Sequence, residues 1–165
     1  MSAEHPLAPI LAATPHRHPM LLLDRLESVV PGRHGWALKA VSANEMHFVA
    51  AGPAAVGMPP TLLVDALGQL AIVVLAPPAS EGGPATPPPV YYLADIEGME
   101  FDRPPQPGDL LRMEATVRKT WGGTSRVQVR GEVAGRRVAA GTLILARGGR
   151  AAERAAFRNE ERRHV

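Results

Sequence analysis

The hydrophobic pattern changes character along the chain, and each change marks an expected element. Residues 20–30 are rich in Leu and Val, the triplet Pro31-Gly32-Arg33 interrupts them, and residues 35–41 alternate well enough to return as a second strand. Together they predict a hairpin. Upstream, a short apolar lead at residues 7–11 stops at Pro15-His16-Arg17-His18-Pro19, where proline restricts itself and its predecessor. Residues 61–76 are too long and too apolar for an ordinary strand. They predict a helix apolar on nearly every side, which must be enclosed and whose Asp65 and Gln69 need partners.

Four further strand-like runs follow, at residues 90–101, 110–121, 125–133 and 137–146, with Gly122-Gly123 and Ala134-Gly135 as turn signals. The Pro/Gly-rich segment 77–89 offers neither packing nor regular hydrogen bonding and reads as a mobile surface connection inside one domain. Two strands, a helix and four strands, without regular strand–helix alternation, predict an α+β antiparallel sheet wrapped round the helix. Such a sheet leaves an edge and an uncovered flank, for which pairing with a second copy or a relative is the expected remedy.

Composition narrows the chemistry. The chain has 165 residues and no cysteine, which removes disulfides, thiolate catalysis and Cys-ligated metals and fits a reducing, cytoplasmic setting. The start lacks the basic and apolar regions of a signal peptide, and the run at 62–76 is interrupted and too short to span a bilayer. A pI near 9.5 invites a nucleic-acid reading. The charge is local, however: residues 147–165 carry six Arg against three Glu, a net of +3, and the whole chain's +2 leaves −1 for residues 1–146. The expected organisation is therefore a domain over 1–146 and a basic tail over 147–165, solvated or set against an acidic carrier protein, with neither nucleic acid nor membrane as partner.

Several segments carry a resemblance. Pro15-His16-Arg17-His18-Pro19-Met20-Leu21-Leu22-Leu23-Asp24-Arg25, then Asn44-Glu45, Met58-Pro59, the block from Leu62 to Gln69, Phe101-Asp102-Arg103-Pro104 and Pro107-Gly108-Asp109 occur in the order seen in bacterial 3-hydroxyacyl-acyl-carrier-protein dehydratases. The chain resembles that family from about residue 8 to 146. The resemblance implies a hotdog fold, a long central helix wrapped by a curved antiparallel sheet, assembled as a dimer with active sites between subunits. It also implies an acyl chain on phosphopantetheine as substrate and no cofactor.

Dehydrating a 3-hydroxyacyl thioester takes a base for the proton beside the carbonyl, a donor for the enolate-like oxygen and an acid for the departing hydroxyl. In the family these are a His in a Gly-His-Phe-Pro-Gly stretch, the N–H of a Gly after Met-Pro, and a Glu or Asp on the other subunit's central helix. Here the histidine position carries Ala51 and the glycine position Pro60, which has no N–H. Asp65 matches the acid, or is a carboxylate settled near a helix start; Gln69, one turn on, orients it or fills its hydrogen bonds. Met58 and Pro59 keep the binding segment. His47 is the nearby imidazole, either a substitute base or an aromatic-position packer, while His16 and His18 read as turn residues, and no metal-ligand spacing links them.

The leading expectation is thus a catalytically incomplete subunit that pairs with a complete relative in fatty-acid or polyketide biosynthesis. The alternatives are a self-sufficient dehydratase using His47, a hotdog acyl thioesterase, and an acyl-carrier binding module.

Overall fold

The computed structural model describes residues 7–51, 57–77 and 89–148, and the side chains of 49–51 are left aside. The chain runs α1 (Ala8–Ala13), β1 (Arg25–Val30), β2 (His34–Ala40), α2 (Met46–Ala51), α3 (Pro60–Leu75), β3 (Tyr91–Phe101), β4 (Leu110–Trp121), β5 (Thr124–Val133) and β6 (Arg136–Arg147). Every expected strand and the central helix are present. The connection expected at 77–89 falls almost wholly outside the described residues, as does the tail from 149 on.

Three local differences have physical causes. The apolar lead is a helix, α1, whose C-terminal carbonyls are taken by Arg17, its Nη1 donating to Thr14 O at 2.9 Å and its Nη2 to Leu11 O at 3.1 Å. The first strand starts at Arg25 instead of Met20: the Met20 and Leu21 N–H groups both donate to Arg17 O, at 2.8 and 3.0 Å, and Leu22 gives its N–H to the Gln69 side chain. The short helix α2 follows a reciprocal cap: Glu45 Oε1 accepts the Ser42 N–H at 2.8 Å, and Asn44 N–H reaches Ser42 Oγ at 3.2 Å. The Ser42-x-x-Glu45 spacing is the signal that announces it.

All six strands form one antiparallel sheet in the order β1-β2-β4-β5-β6-β3. Helix α3 lies on its inner face, chiefly against β4 and β2. Leu63, Leu67, Leu70 and Val74 are fully buried there with Leu111, Met113, Val127 and Leu143 of the sheet. Burying each such Leu is worth about 1.5–3 kcal/mol. The β1–β2 hairpin closes over the helix end, where Gly32 N–H donates to Val74 O at 2.7 Å and Tyr91 Oη to Leu75 O at 3.1 Å. Gly35 permits this approach, since a Cβ there would lie 2.7 Å from Val74 Cγ2.

Strands β1 and β3 are the edges of the sheet, and β3 leaves apolar side chains uncovered. Leu93 opposes Leu145, Ile96 opposes Leu143 and Phe101 opposes Ala139, so all three share the helix-side face with core residues. Yet Leu93, Ile96 and Phe101 are 47%, 44% and 44% exposed. The uncovered flank expected from the element order is therefore a definite stripe of side chains.

Candidate active site

The inner helix supplies two functional stripes. On one, Gln69 is fully buried and uses both its N–H donors and its carbonyl oxygen: Oε1 accepts the Leu22 N–H at 2.9 Å, while Nε2 donates to Met20 O at 2.7 Å and to Asp65 Oδ2 at 3.0 Å. This fixes the amide's orientation and turns one N–H onto the half-buried carboxylate a helical turn earlier. Asp65 is the sixth residue of α3, beyond the first turn where the helix dipole acts, so its described partner is a side chain.

On the other stripe, Met58, Pro59, Pro60 and Leu63 line a cavity of about 290 Å³ whose far wall is residues 101–104. The segment is pinned by Met58 N–H donating to Pro105 O at 2.6 Å, which requires Gly57 to pass close to Pro104. Few donors face the cavity. Pro59 and Pro60 have none, and Leu63 N–H is spent on Pro59 O at 3.0 Å. The rim charges are paired as well. Arg137 grips Asp102 at 2.7 and 2.9 Å, and its hydrogen bonds hold that carboxyl below the usual range; Arg103 lies 3.1 Å from Asp109. This cavity therefore suits an apolar group better than an oxyanion. Phe101 and Pro104 were not anticipated as its wall, because they lie about forty residues beyond Pro60.

His47 packs its ring on Phe48 at 4.2 Å between centroids, with Nδ1 3.9 Å from Glu45 Oε2. Among the described residues its buried Nε2 has no hydrogen-bond partner. Burial lowers its pKa, Glu45 pulls the other way and the Lys39 cation adds to the lowering. Lys39, itself only 4% exposed, is held by Glu45 Oε1 at 3.0 Å. Sequence reasoning missed Lys39, although its parity with Ala37 on β2 places it facing inward. Ala51 closes α2 one helical turn after His47. His16 is tied to the Thr14 hydroxyl within the turn that follows α1.

The His47 shift has a testable sign. A histidine whose folded pKa lies below its unfolded value of about 6.5 contributes stability that is present above that pH and lost as pH falls through the folded pKa. The unfolding midpoint is expected to fall on acidification below pH 6.5, and His47→Phe is expected to flatten that dependence. Parallel melts of the two proteins across pH 5–7.5 check it; identical slopes would show that His47 ionisation is not coupled to folding.

Among the described residues no group of three His, Asp or Glu is placed to hold a metal ion, and no helix is long and apolar enough to cross a membrane.

Comparison with known proteins adds three findings. Residues 14–142 match the FabA-like domain family. The 3-hydroxyacyl-[acyl-carrier-protein] dehydratase FabZ of Nitrosospira multiformis is 37% identical over 135 residues, covering 82% of this chain and 91% of the relative; that of Herpetosiphon aurantiacus is 36% identical, covering 83% and 94%. Among solved structures, the dehydratase heterocomplex ApeI:P from Xenorhabdus doucetiae superposes with a TM-score of 0.67 at 13% identity, covering 90% of this chain and 97% of that one. At that identity the likeness establishes the hotdog fold.

Proposed function

Because the chain belongs to the FabA-like family, with FabZ dehydratases among its relatives, we propose that it is a cytoplasmic dehydratase-type subunit, incomplete alone, that pairs with a histidine-bearing relative and lends it Asp65. The observation that carries this reading is selective preservation. The Asp65–Gln69 clamp is intact down to its last hydrogen bond, while position 51 is alanine and position 60 proline.

In the shared site a base from the partner removes the proton on the carbon beside the thioester carbonyl. Those bonding electrons become the new C=C bond as the C–O bond to the hydroxyl breaks. The Asp65 carboxyl gives the hydroxyl a proton, so that it leaves as water, and Gln69 keeps the carboxyl aimed. The substrate is an acyl chain on the phosphopantetheine of an acyl carrier protein, in fatty-acid or polyketide synthesis. A missing general base costs roughly 10²–10⁴ in rate and a missing oxyanion donor about 10²–10³, and such losses need not multiply. The exposed Leu93, Ile96 and Phe101 stripe is the face on which the partner subunit sits. The ApeI:P neighbour is described as a dehydratase heterocomplex, an assembly of the kind proposed here.

His47 supports a second reading, turnover by the chain alone, since an imidazole whose burial favours the neutral form and whose buried Nε2 has no partner among the described residues is what a relocated base requires. One experiment separates the two. The chain is assayed alone and co-expressed with a histidine-bearing relative, using a 3-hydroxyacyl-pantetheine thioester and following enoyl product. The pairing reading expects no turnover alone, turnover by the pair, and a fall of about 100-fold or more with Asp65→Asn, on the scale of a lost acid. An Asp65→Asn pair as fast as the unaltered one would remove the shared acid. Turnover alone that vanishes in His47→Phe would establish the second reading, and release of free acid instead of enoyl product would point to a thioesterase.

A further inference from the structure

Resting on the pairing reading, we propose that a row of carboxylates on β3 selects the partner: it opposes pairing with a second copy of this chain and fits a relative of the same fold whose facing edge strand carries Lys or Arg.

The charge of this strand has one sign. Between Tyr91 and Asp102 stand Asp95, Glu97, Glu100 and Asp102, and no Lys, Arg or His. The other edge, β1, carries both signs within three residues, at Arg25 and Glu27. The ladder sets where the acids of β3 point. Asp95 lies opposite Ile144, Glu97 opposite Thr142 and Glu100 opposite Ala140, which alternate with the core residues Leu145, Leu143 and Ala139. All three acids therefore stand on the face of the sheet away from α3, while Leu93, Ile96 and Phe101 stand on the helix side. The edge offers a partner two rows, one apolar and one anionic.

The anionic row is only half neutralised from within. Arg126 of β5 reaches Glu97 at 2.5 Å, and Arg137 of β6 serves both Glu100, at 3.0 Å, and Asp102, at 2.7 and 2.9 Å. Asp95 accepts the Ile96 N–H at 2.8 Å, and no ion pair among the described residues includes it. Four carboxylates against two guanidinium groups leave a net of −2. Both cations rise from strands inside the sheet, and Glu100 keeps 67% of its side chain exposed at the edge.

Unused ladder groups beside an uncovered apolar row are what a strand of another subunit covers. A two-fold pair of identical chains lays this strand against its own copy. In a register that brings the two apolar rows onto one face, outer residues meet outer residues, and the charged groups among them are all carboxylates. Residues directly opposite have Cβ atoms about 4.5–5.5 Å apart, close enough for like charges to destabilise the pair and opposite charges to stabilise it. A second copy doubles the net charge of the seam. A partner with Lys or Arg in its outer row cancels it and leaves the apolar contact of Leu93, Ile96 and Phe101 unchanged. Charge thus discriminates between partners that are alike in shape. The selection suits a chain that is incomplete alone, because a self-pair would carry Ala51 in both copies.

The test reads association, not turnover. The probe is a full-length copy of this chain carrying Asp95→Lys and Glu100→Lys, both at exposed positions, mixed with the unaltered chain and followed by native mass spectrometry and sedimentation. The mixed pair is expected to exceed its random proportion by about 10-fold at about 0.1 M salt. It is expected to fall toward that proportion at about 1 M, where the screening length shrinks from about 10 Å to about 3 Å. Asp95→Asn with Glu100→Gln, which keeps the side-chain shapes, is expected to tighten self-pairing at low salt by about 10-fold, and it decides the matter if the lysine chain does not fold. Glu114→Lys on β4, three strands in and about 14 Å from the edge, is expected to change neither result. Random mixing, no mixed pair, or a self-pair indifferent to the neutral variant would overturn the proposal. A Glu114→Lys chain that mixes as selectively as the probe would overturn it too, because net charge and not the β3 row would then be the selector. Failure of the pairing reading itself is visible separately, as an Asp65→Asn pair with the histidine-bearing relative that turns over unchanged.

Discussion

Replacing Gln69 by leucine is expected to lower the unfolding midpoint by roughly 6–12 °C, at about 2–4 °C per kcal/mol for a chain of this size. The side chain is nearly the same volume, so the cost is polar. The Leu22 N–H and Met20 carbonyl lose the amide that satisfies them at 2.9 and 2.7 Å, and Asp65 loses its donor at 3.0 Å. Each buried group left unmatched costs about 1–3 kcal/mol. Together these support a loss of about 3 kcal/mol after partial relaxation. Gln69→Glu is the informative companion. It keeps an acceptor for Leu22 but turns a carboxylate toward the Met20 carbonyl and Asp65. Crowding raises the carboxylate pKa in the folded state, so the stability it contributes is present at acid pH and lost as pH rises through that value. A Gln69→Leu protein that melts within 2 °C of the original would show that water replaces the amide without cost.

Gly57→Ala is expected to be the most damaging exchange of a glycine for alanine among the described residues. Gly57 has φ +149, and an added Cβ would lie 2.7 Å from Pro104 Cβ and 2.8 Å from Pro105 O. Strained backbone of this kind costs about 1–3 kcal/mol for a residue with a side chain, and the contact with backbone oxygen adds to it. Relief requires the segment to back away, which breaks the 2.6 Å bond from Met58 N–H to Pro105 O and opens the cavity at its pinned end. A midpoint drop of about 5–10 °C is expected, with weakened binding of an apolar acyl probe. Gly122→Ala separates the two causes, since φ there is +52 but no atom lies within 4 Å of the added Cβ. Equal losses for the two variants would mean that the Pro104–Pro105 contact plays no part.

What could be read in advance follows from how local each signal is. Helix α3 announces itself because about fifteen consecutive residues are apolar on nearly every face, broken chiefly by Asp65 and Gln69, a pattern too long for a strand and too apolar for a surface helix. The β4–β5–β6 meander is equally plain, since its turns at Gly122-Gly123 and Ala134-Gly135 adopt positive φ, which the glycines take without cost and Ala134 takes beside Gly135. Helices α1 and α2, at six residues each, are too short for a periodicity to show, and packing and caps decide them. The strand expected from Met20 lost its first residues to a turn onto Arg17 O and, at Leu22, to a side chain 47 positions away. That competition cannot be seen in a local window.

The same division runs through the candidate site. The order of motifs, the absence of an imidazole at 51 and of an N–H at 60, and the presence of Asp65 and Gln69 are properties of the residues themselves, so the sequence alone determined the family resemblance, the α+β architecture and which residue types stand at 51, 60, 65 and 69. Only the tertiary structure decided that Gln69 aims Asp65 while tying Met20 and Leu22, that Lys39 and Glu45 stand behind His47, and that the cavity and the carboxylate lie on separate stripes of one helix. The physical reason is range. Backbone preference and hydrophobic period act over a few neighbours, whereas a buried polar group takes whichever partner the closed fold brings near, regardless of its distance along the chain.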